Sequence, residues 1–591
     1  MSDQNTNGIV NEPAPLTPAD FVLQTFNIFE NGTFDKLSNI TEYLSDFRSE
    51  DFKNNIDSKV TMDPSGSDTS TYTETSSKRE SNEKIAASFG LSGSYGFYSG
   101  SVQTNINTDE YNLATAFSAN YFGTIDRGAV HITNATSISI GNFIAAFQEA
   151  MTNIDSLQKA KDFIESYGTH VATGWNVGGA FSMSIAADTS TYSDKTSISV
   201  KVTGKYQAIN SVSAAATAAY DLYTSGSISN LNQEAKFYGG NPDLASQIDL
   251  KSSPNISDWA KSCSTSTISG IYEAIDMAEL ATQNGLTIAA TNLKRYTDLY
   301  LLKFSLENPT ILTSETPLVA GTSVDATVTC DNPYKIVSGG ASVGNLPNAN
   351  SFLTACYPTT STNSQGLLSI NGWRATSHDC ISDALTDNNL TVYAIAIFDP
   401  GGYLNVFVSR DGGSNPKSGT DTANSPNWPR VPGFTLTGGG CQTIIVAGVF
   451  PKYITANCPY QINGQWIAWN ASVTDYMAPA SGVELLGYAI GIKSDYLSIN
   501  SVMLSSTTAQ AMAHGNMSQQ LDNGLKIIGG GVQLSSSPSS WLVSSNNLVR
   551  QSFPSASDTW TEFNKDLDGL SHPVFATAFA IGLSVSINGI A

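Results

Sequence analysis

Charge is scarce in this chain, and positive charge scarcest. Only 14% of the 591 residues are charged, and 29 Lys and Arg face 51 Asp and Glu for a net charge of −22. That balance excludes nucleic acid as a partner and excludes attraction to anionic lipid by charge alone. Cysteine is also thin. Cys263, Cys330, Cys356, Cys380, Cys441 and Cys458 are too scattered for a disulfide scaffold, show no zinc spacing, and leave room for one or two disulfides. The five histidines, His131, His170, His378, His514 and His572, form no i, i+4 pair, so neither a metal nor a cofactor is expected. No apolar run reaches the ~18 residues of a membrane-spanning helix. A closed β-barrel is then the one route across a bilayer, since every backbone N–H and C=O must be satisfied in lipid. Met1-Ser2-Asp3-Gln4-Asn5 lacks the basic and apolar parts of a signal peptide. The expectation is a protein made in the cytoplasm and released by a non-Sec route or by lysis.

Ser, Thr, Asn, Ala and Gly are abundant instead, a bias of exported or surface-acting β-rich proteins. The length suits three or four ordinary domains or two large ones. Enzyme signals are poor. Gly340-Ala341-Ser342-Val343-Gly344 matches a nucleophile elbow but stands at the start of a β repeat, without strand-turn-helix context. Asp566-Leu567-Asp568-Gly569 is a fragment of a calcium loop. No enzyme is expected.

The stretch around which the chain is organised is Tyr167-Gly168-Thr169-His170-Val171, followed after six residues by Gly178-Gly179. Leu157, Ala160 and Ile164 recur at helical spacing before it. After it Phe181, Met183, Ile185 and Ala187 alternate with Ser182, Ser184, Ala186 and Asp188, the period of a half-buried strand. The predicted order is helix, glycine elbow, strand. Ala235-Lys236-Phe237-Tyr238 reads as a return strand ending in a second pair, Gly239-Gly240. This combination resembles the signature of the membrane attack complex/perforin (MACPF) family, which usually has Phe or Tyr where Val171 stands. The resemblance implies a bent, twisted antiparallel sheet flanked by two helical clusters, each of which unfolds into a membrane-inserting β-hairpin. It places the clusters within about 60–125 and 188–232. His170 reads as a structural hydrogen-bonding residue. Gly178 and Gly179 read as a bending point that Val could replace without loss of soluble folding.

Both cluster regions alternate as membrane strands must. Ile85, Ala87, Phe89, Leu91, Tyr95 and Phe97 carry an apolar phase that Tyr98, Val102 and Ile106 continue, and Ile198, Val200 and Val202 alternate with Ser199, Lys201 and Thr203. The candidate hairpin residues are Phe89, Leu91, Tyr95, Phe97, Ile198, Val200 and Val202. Ala-rich residues 212–220 favour helix. Residues 1–20 read as a flexible arm, and a linker is predicted from about Glu307 to Ser323, around Pro309 and Pro317.

The remainder repeats. Gly339-Gly340, Gly438-Gly439-Gly440 and Gly529-Gly530-Gly531 open three units; Trp373, Trp469 and Trp560 follow; and Tyr393–Ile397, Tyr488–Ile492 and Phe579–Leu583 close them. Recurrent landmarks in fixed order signify internal triplication. Three such units close most simply about a pseudo-threefold axis, each a four-stranded sheet or a small sandwich, with the tryptophans as core. This part resembles the β-prism-like domains that follow MACPF domains in several bacterial proteins. It holds 10 Lys and Arg against 16 Asp and Glu over 320–591.

The expected architecture is thus α+β: an MACPF domain over 21–315, then an all-β, β-prism-like domain over 316–591 with repeats at about 324–400, 430–495 and 520–591. The resemblance implies a pore-forming toxin, a soluble monomer that binds the lipid membrane of a target cell, assembles into a homo-oligomeric ring and inserts a β-barrel. Insecticidal use is implied only by likeness to bacterial MACPF proteins. An unknown glycan or protein receptor would be chosen by the second domain. The alternatives are a non-lytic MACPF adhesion protein and a lectin-like module.

Overall fold

The computed structural model describes residues 17–31, 40–64, 68–75, 116–133, 138–189, 228–247 and 257–590, the last span apart from 320, 345–349, 363–367, 380–388, 414–422, 425–428, 446–451, 475–482, 538–546 and 567–572. Phe89, Leu91, Tyr95, Phe97, Ile198, Val200 and Val202 lie outside the described residues, as do 1–16 of the expected arm. Residues 17–20 do not belong to an arm. Thr17 and Asp20 cap a 3₁₀ turn at Pro18–Phe21, with the Thr17 N–H donating to Asp20 Oδ2 at 2.7 Å.

An antiparallel sheet organises the N-terminal half. Its strands are β1 (Thr25–Phe26), β2 (Val60–Pro64), β3 (Asp68–Thr75), β4 (Ala116–Ile132), β5 (His170–Thr189), β6 (Ile228–Tyr238) and β7 (Ile268–Asp276). The path is β1-β5-β4-β2, with β3 on β4 and with β6 and β7 on β5. Both long strands change their outer partner at one level. β4 pairs with β2 from Ile132 to Gly128 and with β3 from Ile125 to Ser118. β5 pairs with β7 from His170 to Val177 and with β6 from Ala180 to Thr189. On one side of that level the sheet packs under helices α1 (Ala145–Thr152) and α2 (Leu157–Tyr167), burying Phe143, Phe147, Phe163, Ile164, Trp175 and Ile271 in one core. α2 forms because Ser156 caps it by accepting from the Lys159 N–H and because Ala160, Phe163 and Ile164 share its buried stripe.

Beyond the sheet come α3 (Ser257–Ser262), α4 (Met277–Gln283) and α5 (Thr287–Glu307). α5 joins the two halves: Ala289, Leu293 and Tyr296 enter the first core, while Leu299, Leu302 and Leu306 enter the core of the second half. The stretch 307–323, expected as a linker, contains β8 (Thr310–Pro317), paired along β13 (Asn389–Phe398) at a sheet edge. An edge strand tolerates a terminal proline and few large apolar residues, which is why it reads as a linker.

The second half has three six-strand units. The first is β8, β9 (Ser323–Thr329), β10 (Tyr334–Val343), β11 (Ser351–Thr362), β12 (Leu368–Asp379) and β13. The second is β14 (Asn405–Gly413), β15 (Ala423–Asn424), β16 (Thr435–Ile445), β17 (Tyr453–Ile462), β18 (Gln465–Thr474) and β19 (Val483–Lys493). The third is β20 (Leu497–Thr507), β21 (His514–Gln520), β22 (Ile527–Ser535), β23 (Asn547–Ala556), β24 (Thr559–Asp566) and β25 (Phe575–Ile587). Each unit thus begins before its glycines. The units are neither single four-stranded sheets nor small sandwiches. They build three six-stranded sheets, β21-β24-β23-β10-β13-β8, β14-β19-β16-β11-β12-β9 and β15-β18-β17-β22-β25-β20. Every sheet takes the first, sixth and third strands of one unit and the fourth, fifth and second of another, in cyclic exchange.

The repeat glycines lie next to the seams between units, where Ala341 pairs with Ser552, Cys356 with Cys441 and Asn457 with Val532. Gly339, Gly439 and Gly530 leave room for the indoles of Trp373, Trp469 and Trp560, which any Cβ there would strike. The three Nε1 groups donate to Cys356 Sγ (3.3 Å), Asn457 Oδ1 (2.7 Å) and Ser552 Oγ (3.0 Å). All three tryptophans are buried, away from any sugar or lipid. Ser342 of the elbow-like run sits within β10, paired with Thr391 and Gln551. Among the described residues the five cysteines form no disulfide with one another.

Candidate functional site: a glycine bend across the central sheet

The signature residues hold the junction between α2 and β5. Tyr167 ends α2 with its ring among Phe47, Phe147 and Phe163, at centroid distances of 4.9, 5.2 and 4.8 Å. Gly168 caps the helix at φ +91°, its N–H donating to Ile164 O at 2.8 Å, and a Cβ there would lie 2.6 Å from Phe26 O. Thr169 is buried. Its Oγ1 accepts from the Ile28 N–H at 2.9 Å and lies 2.9 Å from His170 Nδ1. His170 stacks on Phe26 at 5.1 Å, and burial pushes its imidazole down to about 3, so it stays neutral. These residues fasten the segment around Phe26 to the start of β5.

Gly178-Gly179 is not an elbow before a strand. β5 begins at His170 and runs through the pair to Thr189. The first half of β5 shows no alternation in sequence because Val171, Ala172, Thr173, Trp175 and Val177 are all buried, so no polar face marks the period. The pair stands instead where β5 exchanges β7 for β6. Gly178 has φ +134°, opposite a bulge in β4 between Asp126 and Gly128, which has φ +138°. Both values lie where side chains are strained. A Cβ on Gly178 would strike the carbonyl oxygen of Ile125, and one on Gly128 would lie 2.6 Å from Asp63 O. The expectation that Val could replace Gly178 and spare soluble folding is therefore wrong, because the obstacle is backbone.

The second pair completes the crossing. Gly239 and Gly240, at φ +76° and +65°, close β6 against Gly178 and Gly179, and α3 is bolted over Gly179, Gly239 and Gly240. Trp259 is fully buried, edge-on to Phe181 (5.9 Å) and Phe237 (5.0 Å), and its Nε1 donates to Gly239 O at 3.0 Å. Ser262 Oγ accepts from the Asn241 N–H at 2.8 Å, and Arg127 Nη2 donates to Ala260 O at 3.1 Å. Cys263 lies beside Gly179 and Gly240. Sequence reasoning missed Gly128, Arg127 and the role of Trp259. Asp126-Arg127-Gly128 was a signal: Asp126 Oδ1 accepts from the Gly128 N–H at 2.9 Å, a turn chemistry unusual within a strand.

What the arrangement can do is bend. A row of positive-φ glycines crosses β4, β5 and the end of β6, the outer partners end there, and a small aromatic cluster separate from the main cores plugs the gap. Elsewhere, a cleft of about 690 Å3 between α4, α5 and residues 400–403 has Lys294 and Asp298 paired within its wall, and it is remote from the bend.

A model of the MAC/Perforin domain matches residues 30–280. No curated protein sequence matches the chain. Among solved structures, GNIP1Aa from Chromobacterium piscinae is similar at 14% identity, over 77% of this chain and 82% of that one, with a TM-score of 0.33. A putative cell invasion protein with a MAC/Perforin domain from Bacteroides thetaiotaomicron is similar at 10% identity, over 61% and 68%, with a TM-score of 0.32. Astrotactin-2, a perforin-like vertebrate membrane protein involved in neuronal development, is similar at 12% identity, over 57% and 62%, with a TM-score of 0.31. The assignment rests on the matched domain rather than on these likenesses.

Proposed function

We propose that this chain, which carries a MAC/Perforin domain over residues 30–280, perforates membranes. In this reading a soluble monomer docks on a target cell through its triplicated, β-prism-like half, gathers into a ring, and extends β-hairpins into a transmembrane barrel. Insect cells are the first targets to assay, on the likeness of domain order to insecticidal bacterial proteins.

The observation that carries this reading is one of register. β3, β4, β5 and β6 are consecutive antiparallel neighbours, and residues 76–115 and 190–227 both leave from the same end of that ribbon, where Thr75 pairs with Ser118 and Thr189 with Ile228. In the extended hairpin we propose, a ladder continued in the β3/β4 register would set Ala87 opposite Ile106, Leu91 opposite Val102 and Tyr95 opposite Tyr98. The other face would then gather Ser88 with Asn105, Gly90 with Gln103, Ser92 with Ser101 and Ser94 with Ser99. Opposed residues share a face, so two apolar phases read separately in the sequence fall on one side. The turn of that hairpin would fall at Gly96-Phe97, with Gly at the first central position of a two-residue loop. No charged residue lies between Ile85 and Thr108, and each arm has the ~9–11 residues that a membrane strand needs. A second hairpin continued in the β5/β6 register would likewise set Val200 opposite Thr217, with Lys201 on the other face.

Dye release from target cells or their lipids tests this. Leu91→Arg puts a charge on the lipid face at roughly 2–4 kcal/mol per subunit and should abolish release, whereas Ser92→Arg should leave most of it. Equal effects at both positions would end the hairpin assignment. Binding without release by the intact protein would favour an adhesion or lectin-like role.

A further inference from the structure

One titratable contact lies beside the bend. His131 of β4 points out of the covered side of the sheet toward β2, its Nε2 2.9 Å from Asp63 Oδ2 and its Nδ1 3.1 Å from the Ile132 carbonyl oxygen. Both neighbours are acceptors. A neutral imidazole carries one N–H and can satisfy only one of them, while the imidazolium satisfies both. Asp63 is the next-to-last residue of β2 paired with β4, and its own carbonyl lies against Gly128. The ring also packs against Tyr272 of β7, at 5.6 Å between centroids, across the gap that Gly174 of β5 leaves open. The charged groups facing His131 are Asp63 from β2 and Glu273 from β7; β5 presents only Gly174.

We propose that His131 and Asp63 form a protonation-dependent clamp that fastens β2 to β4 at the edge of the bend, holding the soluble form in acid and releasing it as pH rises. The hydrogen bond to Asp63 raises the pKa of His131 above its ordinary value, with the Ile132 carbonyl and the charges of Asp63 and Glu273 adding to it against burial. A raised histidine stabilises the fold fully below its unfolded value of ~6.5, and that stabilisation is lost as pH climbs through the folded value.

The clamp rests on the pore-forming reading only for its consequence. Its existence is tested on the soluble full-length protein by following the His131 ring by NMR across about pH 5.5 to 8.5, around the ordinary ~6.5. His131 should titrate above that value and fall toward it in Asp63→Asn; a titration unmoved by Asp63→Asn overturns the clamp. Dye release by the wild type should quicken with pH over that range, and His131→Gln should release at the fast rate throughout. A His131→Gln profile that keeps the wild-type pH dependence also overturns it. If no variant releases dye at any pH, the pore reading fails while the titration still decides the clamp.

Discussion

Trp259 offers the sharpest separation between a sheet that bends and one that merely contains glycines. Its ring is fully buried between Phe181 and Phe237, and its Nε1–H is the direct bond from α3 to the second glycine pair, at Gly239 O. Trp259→Phe keeps an aromatic plug and removes that bond, a loss of about 1 kcal/mol. Trp259→Ala removes the plug, about 3–5 kcal/mol on the scale of large core truncations. The plug belongs to a small cluster of Ile125, Phe181, Trp259 and Cys263, apart from the main cores, so the loss falls on local opening more than on global unfolding. If α3 must lift before the glycine row can straighten, each 1.4 kcal/mol taken from the closed state speeds a lifting-limited step about tenfold. Dye release should then quicken roughly fivefold in Trp259→Phe and by two orders of magnitude or more in Trp259→Ala, with cell binding unchanged. Hydrogen exchange should show lost protection confined to 228–276. Slower release by both variants at equal binding, with exchange unchanged at the crossing, would refute the view that α3 restrains the bend.

Gly178→Ala combines a strained φ with a backbone collision and should prevent soluble folding or cost roughly 3 kcal/mol or more, read by urea unfolding. Gly464→Ala, at φ +79° but with open space around it, should cost about 1 kcal/mol; equal losses would mean that crowding at the crossing is unimportant. Glu562 is fully buried with neither carboxylate oxygen hydrogen-bonded, and burial holds its pKa well above the ordinary value. Its favourable protonation is complete below the unfolded value and is lost as pH rises through the folded one, so stability should fall with rising pH. Glu562→Leu should flatten that dependence and add about 1–3 kcal/mol at neutral pH; a melting curve with unchanged pH slope would contradict this.

How far the sequence could be read follows from how locally each feature is encoded. α2 was legible because one face is buried and Lys159 and Lys161 project from the other. The return strand β6 was legible because it ends in glycines with unusual backbone angles. The first half of β5 was not, being buried on both faces and so without period. The contact of Phe26 with His170 joins residues distant in sequence and leaves no local trace. The exchange of strands among the three units is likewise invisible: β11 has the same alternation whether it pairs with its own unit's β10 or, as found, with β16 of the next. Glu562 shows the converse. Ala375 and Ala471 occupy the same position two residues after their tryptophans, so the repeat itself marks the carboxylate as a departure from what that interior site accepts.

The strand exchange also decides where the molecule can yield. Because each sheet draws on two units, no unit can leave without breaking two seams, and the second half moves as a block. α5 extends that block into the first half, with Ala289, Leu293, Leu299, Leu302 and Leu306 buried along its length. Ile587, the last residue of β25, and Ile590 just beyond it also pack onto the N-terminal core. A joint buried on both sides by large aliphatic residues resists bending, whereas the glycine row is crossed by backbone pairing, the Trp259 plug and the side-chain bonds of Ser262 and Arg127. Any large rearrangement should therefore leave the relation of α5 to both cores intact and concentrate its change in φ and ψ at Gly128, Gly178, Gly239 and Gly240, where no Cβ opposes it.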